Sequence, residues 1–242
     1  FGQEFIFIIS IFLLIYLIFW VLRNETQERR WTIFAVLLAI FVFRATPSVG
    51  PGATWWAIDV LGFDREFLGV LQLIGAIIPL VILWLFSDYI ASKSVKTILI
   101  FLTIIGALFS LPELGLFYEI PQSWGWDIRF VTVVDSALDS PLVHLSMIPM
   151  LAVIAYFAPT HARGTWFAVA ASFMNLSLTA ERLGTKYLNK IFEVTREVRD
   201  ASGEIITPAY YDELGSLMIV VIIIGLILPV LAVTVLLRKT EV

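Results

Sequence analysis

The chain has 242 residues, 60% hydrophobic and 15% charged, with a formal net charge of −4 and no cysteine. A soluble domain runs at about 45–50% apolar and about 25% charged residues, and a mean hydropathy of +0.93 exceeds what one core of this size can cover. Disordered, collagen-like, disulfide-stapled, zinc-ribbon and thiol chemistries are excluded, and the acidic balance offers nothing to nucleic acid, so the chain reads as an all-α integral membrane protein.

Seven apolar runs are expected to cross a hydrocarbon core about 30 Å thick as helices. They are span 1 (5–22), span 2 (31–46), span 3 (67–86), span 4 (95–111), span 5 (130–157), span 6 (164–188) and span 7 (214–237). Span 2 is short, and its far end can run on into 47–51. Span 1 starts with Glu4 and lacks a following small-residue cleavage site, so it is no signal peptide.

Basic residues orient the spans. The loops at 23–30, 87–94 and 159–163 and the tail from Arg238 are short and hold Arg23, Arg29, Arg30, Lys93, Arg163, Arg238 and Lys239. The opposite loops are longer and acidic, which predicts a cytoplasmic C-terminus and residue 1 outside. All eight tryptophans fall at span ends or in adjoining loops, the pattern of an aromatic belt.

A charge at the bilayer centre costs at least about 2.5–3.5 kcal/mol, so each one in a span needs a reason. Span 2 has Arg44, and span 3 has Gln72 on a stripe with Gly69, Ala76 and Pro79. In span 5, Asp135 and Asp139 sit one turn apart. Ser172, Asn175, Thr179, Arg182 and Lys186 recur in span 6 every three or four residues and form one polar stripe. The acids of span 5 lie at the depth of Glu181, Arg182 and Lys186. Two readings fit that layer: buried ion pairs that fix helix packing, or a solute cavity. Prolines at 79, 112, 141, 149 and 229 interrupt the spans, with Pro141 and Pro149 flanking His144.

No photoreceptor lysine stands in span 7, and no intramembrane-protease or zinc-hydrolase motif occurs. Asp139 and His144 point about 140° apart on a helix, so a metal site with Asp135 is not expected. The expectation is therefore no enzyme, no catalytic residue, no cofactor and no metal. A carboxylate in a low-dielectric span can take a proton from one side and release it on the other, which makes Asp135 the first proton-coupling candidate and Asp139 the second. Arg44, Arg182 and Lys186 are the candidate solute cations, with Gln72, Asn175 and Thr179 as neutral partners.

The element from Arg44 through Ala45, Thr46 and Pro47 to Ser48, followed by Leu61-Gly62-Phe63 and Phe67-Leu68-Gly69, resembles the folate–biopterin transporter family of the major facilitator superfamily. Val134-Asp135-Ser136, Pro149, Pro159, Thr165, Phe167-Ala168, Asn175 and Leu214…Leu217…Pro229 follow in the family's order. Arg163 stands where the family usually has an acid.

The resemblance implies a six-helix C-terminal bundle (31–242) of a twelve-helix transporter, preceded by the last helix and connecting loop (1–30) of its N-terminal half. The odd span count and the start at Phe1 agree with a missing N-terminal half. It implies that spans 2, 3, 5 and 6 line a central cleft, that spans 4 and 7 face outward, and that Asp88, Lys93 and Lys96 form a cytoplasmic gating loop. The implied function is proton-coupled carriage of folate- or pterin-like anionic solutes across a bacterial inner membrane. Another major facilitator solute, or a non-transporting assembly protein of the same fold, stays open.

Overall fold

The computed structural model describes residues 2–200 and 202–238, leaving aside the side chains of Ile90, Ala91, Val143 and His144. Residue 1 and Lys239, used above for orientation, therefore lie outside the described residues, as does the imidazole between Pro141 and Pro149.

In chain order the elements are α1 (Gly2–Val21), α2 (Gln27–Arg44), α3 (Pro51–Asp59), α4 (Arg65–Ala91), α5 (Val95–Phe109) and α6 (Leu111–Phe117). After these come α7 (Ile120–Ser123), α8 (Ile128–Tyr156), α9 (Arg163–Ile191), the antiparallel hairpin of β1 (Val198–Arg199) and β2 (Ile205–Thr207), and α10 (Leu214–Leu236). Side-chain caps start several of them: Thr26 accepts from Arg29 N–H, Ser94 from Thr97 N–H and Asp127 from Phe130 N–H. Pro79, Pro141, Pro149 and Pro229 lie inside helices. Pro112 instead sits in the first turn of α6, where its missing N–H costs nothing.

Among the described residues, five segments are long and apolar enough to cross a membrane: α1, α4, α5 with α6, α8 and α10. The runs expected as spans 2 and 6 are helices too, α2 and α9, but their charges and polar stripe dilute their apolar character. The sequence did not show α3, α7 or the hairpin, which belong to loops rather than to periodic apolar runs.

Helix α4 lies along α8, α10 packs on α5 and α2, and α9 packs on α2 and α1. Ile18, Leu22, Leu37, Ile40, Leu99 and Phe173 are fully buried where α1, α2, α5 and α9 converge. A second core joins Trp56, Leu116, Leu214 and Met218 towards the hairpin. There α10 approaches α6 so closely that a Cβ on Gly215 would stand 2.5 Å from the Phe117 ring. The outer face of α4, with Leu80, Trp84 and Leu85, is exposed, as suits a helix bathed in lipid.

The tryptophan pattern needs correction. Trp20, Trp31, Trp84, Trp124 and Trp126 are exposed, but Trp166 and Trp56 belong to the core. The Trp166 indole Nε1 donates to the Ile154 carbonyl at 2.7 Å and locks α9 to α8. Trp166→Phe should lower stability by about 1–3 kcal/mol through lost volume and a lost hydrogen bond. A thermal-unfolding series of the purified protein checks this, and solute binding should not change.

The hairpin end is held by polar contacts. Asp59 on α3 accepts from Tyr211 Oη at 2.6 Å and pairs with Arg196 at 3.2 Å, tying the 192–213 segment to α3. Asp64 accepts from Phe67 N–H at 2.7 Å and pairs with Arg129 at 2.9 Å. The Tyr211 hydroxyl, and after it Arg196, hold the Asp59 carboxyl below its ordinary 3.8. Burial, and after it the bond to Asp59, push Tyr211 up to about 12. Asp59 thus contributes stability above pH 3.8 that is lost as pH falls through its lower folded value. Tyr211 contributes below its ordinary 10.0 and loses that contribution as pH rises towards 12. With the intrinsic pH dependence of amide exchange divided out, hydrogen exchange in 192–213 should therefore be flat across the intervening range and accelerate only beyond both ends. Asp59→Asn should raise it about fivefold at neutral pH, the effect of about 1 kcal/mol.

Candidate functional site

A cavity of about 790 Å³ opens between α2, α5, α6, α8, α9 and α10. Among the described residues its charged lining is one guanidinium, Arg44, and three carboxylates, Glu113, Asp139 and Glu181. Each arrives by a local device. Arg44 is the last residue of α2, left at the mouth of the α2–α3 break. Glu113 lies in the first turn of α6, which Pro112 opens. Asp139 projects from the middle of α8 and Glu181 from α9.

The break between α2 and α3 forms one wall: Thr46, Pro47, Ser48, Val49 and Gly50 all line the cavity. It is pinned to α9. Ser48 Oγ donates to Glu181 Oε1 at 2.8 Å, Ser48 N–H donates to Thr185 Oγ1 at 2.9 Å, and Thr185 Oγ1 donates to Glu181 at 3.2 Å. One turn on, Asn189 Nδ2 donates to the Val49 carbonyl at 3.0 Å. Gly50 closes the break at φ +81°, a left-handed conformation suited to glycine.

Among the described residues Arg44 makes no ion pair, and its Nε is buried with no hydrogen-bond acceptor. Asp135, one turn from Asp139, has a buried Oδ1 that lacks a donor and lies outside the lining. A guanidinium with a free fork can take a carboxylate or a carbonyl, and the facing carboxylates accept N–H donors.

Of the expected solute residues, Arg44 lines this cavity, whereas Gln72, Asn175, Thr179, Arg182 and Lys186 do not. Ser172, Asn175 and Arg182 are exposed on another face of α9, whereas half-buried Glu181 and exposed Leu178 line the cavity. Lys186 donates to Glu4 at 2.7 Å, and Tyr187 reaches the same carboxylate at 3.1 Å, fastening α1 to α9. Asp88, Lys93 and Lys96 stand around the α4–α5 turn with no ion pair among them in the described residues, and Lys93 lies over the Tyr89 ring at 4.9 Å.

The expectation that spans 4 and 7 only face outward is corrected. Leu102, Thr103, Gly106, Ala107 and Ser110 of α5, with Val221, Ile222, Gly225 and Pro229 of α10, line the cavity, and α4 contributes nothing. Lack of charge does not exclude a helix from a cavity wall when small residues bring it close. Glu113 and Glu181 were missed as site residues. The Pro-Glu pair at 112–113 before an apolar run is a helix-start signal that could have placed Glu113 in the bundle.

The chain is 28% identical over 149 residues to a folate-biopterin transporter of Synechocystis sp. (strain ATCC 27184 / PCC 6803 / Kazusa), a match covering 62% of this chain and 30% of that protein. It thus spans less than a third of that relative's length. No solved structure matches. The BT1 family matches residues 20–242, from the end of α1 through every element that builds the cavity, and the chain belongs to that family.

Proposed function

We propose that this chain is part of a proton-coupled secondary transporter of pterin- or folate-like solutes, and that the cavity around Arg44 is its solute station. One observation carries the reading: a half-buried guanidinium, its Nε buried without an acceptor, shares a cavity with three carboxylates between helices apolar enough for a membrane. Intramembrane charges of this kind mark solute and ion pathways. The family and the named relative support a pterin-like solute. A pterin ring offers an N–H donor edge for Glu113, Asp139 or Glu181, and a carbonyl or carboxylate for Arg44. The charge balance suits a solute with one acceptor group and several donors better than a polyanion.

In this reading the hairpin end is outer and the α4–α5 turn cytoplasmic, as the basic loops suggest. The exposed polar stripe of α9, from Ser172 to Arg182, is too polar for lipid. It belongs to the face that meets the other half of the transporter, along which Asn175, Thr179 and Arg182 can touch solute in transit. Asp139 on the cavity wall and Asp135 behind it carry the proton.

The test is uptake by vesicles containing the full-length protein, with oxidised and reduced pterins and folates as candidate solutes. Saturable counterflow of a pterin is expected, faster than that of a polyglutamylated folate. A protein that moves none of them, yet keeps a water-filled cavity, points to another major facilitator solute. A dry cavity points to an assembly protein.

A further inference from the structure

A second cavity, about 810 Å³, lies at the hairpin end between α3, α6, α7, the start of α8 and the 209–212 segment. The two cavities follow one another along the same two helices. Helix α3 gives Ala53 and Thr54 to the first and Trp56 and Val60 to the second; α6 gives Glu113 to the first and Leu116 and Phe117 to the second. Trp56 and Phe117, with ring centroids 5.5 Å apart, both line the second cavity.

Its walls have a specific chemistry. Trp56, Phe117, Tyr210 and Tyr211 supply aromatic surface, Glu119 and Asp212 supply carboxylates, and among the described residues no lysine, arginine or histidine lines it. Glu119 is the one non-glycine residue with positive φ among the described residues, at φ 56° and ψ 23°. That conformation ends α6: Glu119 N–H donates to the Leu116 carbonyl at 3.2 Å, and its own carbonyl accepts from Ser123 N–H at 3.0 Å as α7 begins. Its side chain does not cap α7 and makes no bond or ion pair among the described residues, which leaves the carboxylate available to the cavity. Gln122, also in the lining, has a buried Oε1 without a donor.

We propose that this vestibule is a second, outer binding station for a planar nitrogen heterocycle presenting an N–H donor edge, neutral or cationic. The ring stacks on the aromatic walls, and Glu119, with Asp212 across the mouth, accepts the donor edge. An anionic tail finds no partner there, so the vestibule selects for the ring and hands the solute past Trp56 and Phe117 to the Arg44 cavity. The inference rests on the transporter reading for its ligand class.

Glu119→Gly separates site from scaffold, because glycine accepts the positive φ while the carboxylate is removed. The probe is tritiated pterin without a side chain, bound at equilibrium to the full-length protein in lipid nanodiscs. Wild type should bind two molecules. Glu119→Gly should weaken one site about tenfold, as expected for one charge-assisted hydrogen bond, with a thermal midpoint equal to or above wild type. Asp212→Asn should weaken the same site, and Arg44→Gln should weaken the other one. p-Aminobenzoylglutamate, all tail and no pterin ring, should compete only at the Arg44-sensitive site. Wild type that binds one pterin, lost in Arg44→Gln and untouched in Glu119→Gly, overturns the vestibule and leaves the proposed function standing. Wild type that binds none overturns both.

Discussion

Arg44→Ala is expected to weaken solute binding by about 2–3 kcal/mol, roughly 30–150-fold, because it removes the one cation of a cavity lined by three carboxylates. Arg44→Lys should recover only part of this. It keeps the charge but loses the fork that takes a carbonyl or carboxylate on two N–H groups. The rival account makes Arg44 a counter-charge that merely allows Glu113, Asp139 and Glu181 to share the space. On that account Arg44→Ala lowers thermal stability, and Arg44→Ala with Asp139→Asn restores both stability and binding. Equilibrium binding and unfolding measured on the three variants separate the two. Restoration by the double variant removes Arg44 from the solute station.

Asp139→Asn is expected to abolish accumulation driven by a proton gradient, bringing the internal and external solute concentrations to equality. Asparagine keeps the shape and one acceptor but cannot load a proton. Counterflow, which needs no net proton movement, should stay within about fivefold of wild type, the effect of one altered hydrogen bond. Asp135→Asn should slow accumulation without abolishing it, since Asp135 stands one turn behind the cavity wall with a buried, unpartnered Oδ1. Vesicle uptake with and without an imposed pH gradient reads both. Accumulation that still follows the gradient in Asp139→Asn would remove it from the coupling site.

The helices of the bundle were legible because each is an apolar run. Their exact ends were not read: Thr26, Ser94 and Asp127 cap helices, and Pro47 and Gly50 break the chain at 45–50, where span 2 was expected to run on. Arg44 and Asp139 were found from the cost of a charge inside a span, a rule that needs no tertiary information. That rule does not say which way a side chain turns. On α9, Glu181 and Arg182 are sequence neighbours about 100° apart, and only packing on α2 decides that Glu181 faces the cavity. The regular spacing drew attention to the stripe from Ser172 to Lys186, yet the buried face of α9 is that of Trp166, Ala170, Phe173 and Ser177, and Glu181 reaches the cavity beside it. The vestibule was invisible for a different reason. It is built by the 209–212 segment folding over α3 and α6, a long-range contact with no local pattern behind it.

The absence of cysteine from the chain permits the most direct test of the Arg44 cavity as a water-filled solute station. A full-length protein made cysteine-free in its other half would receive Ala107→Cys, on the cavity wall, or Leu108→Cys, exposed on the adjoining face of α5. The rate of modification by a charged methanethiosulfonate is then measured with and without pterin. The solute-station account predicts fast modification of the Ala107→Cys protein, slowed at least about tenfold by saturating pterin, and negligible modification of the Leu108→Cys protein in its lipid-facing position. Modification at position 107 that is slow, or fast but indifferent to pterin, would contradict it.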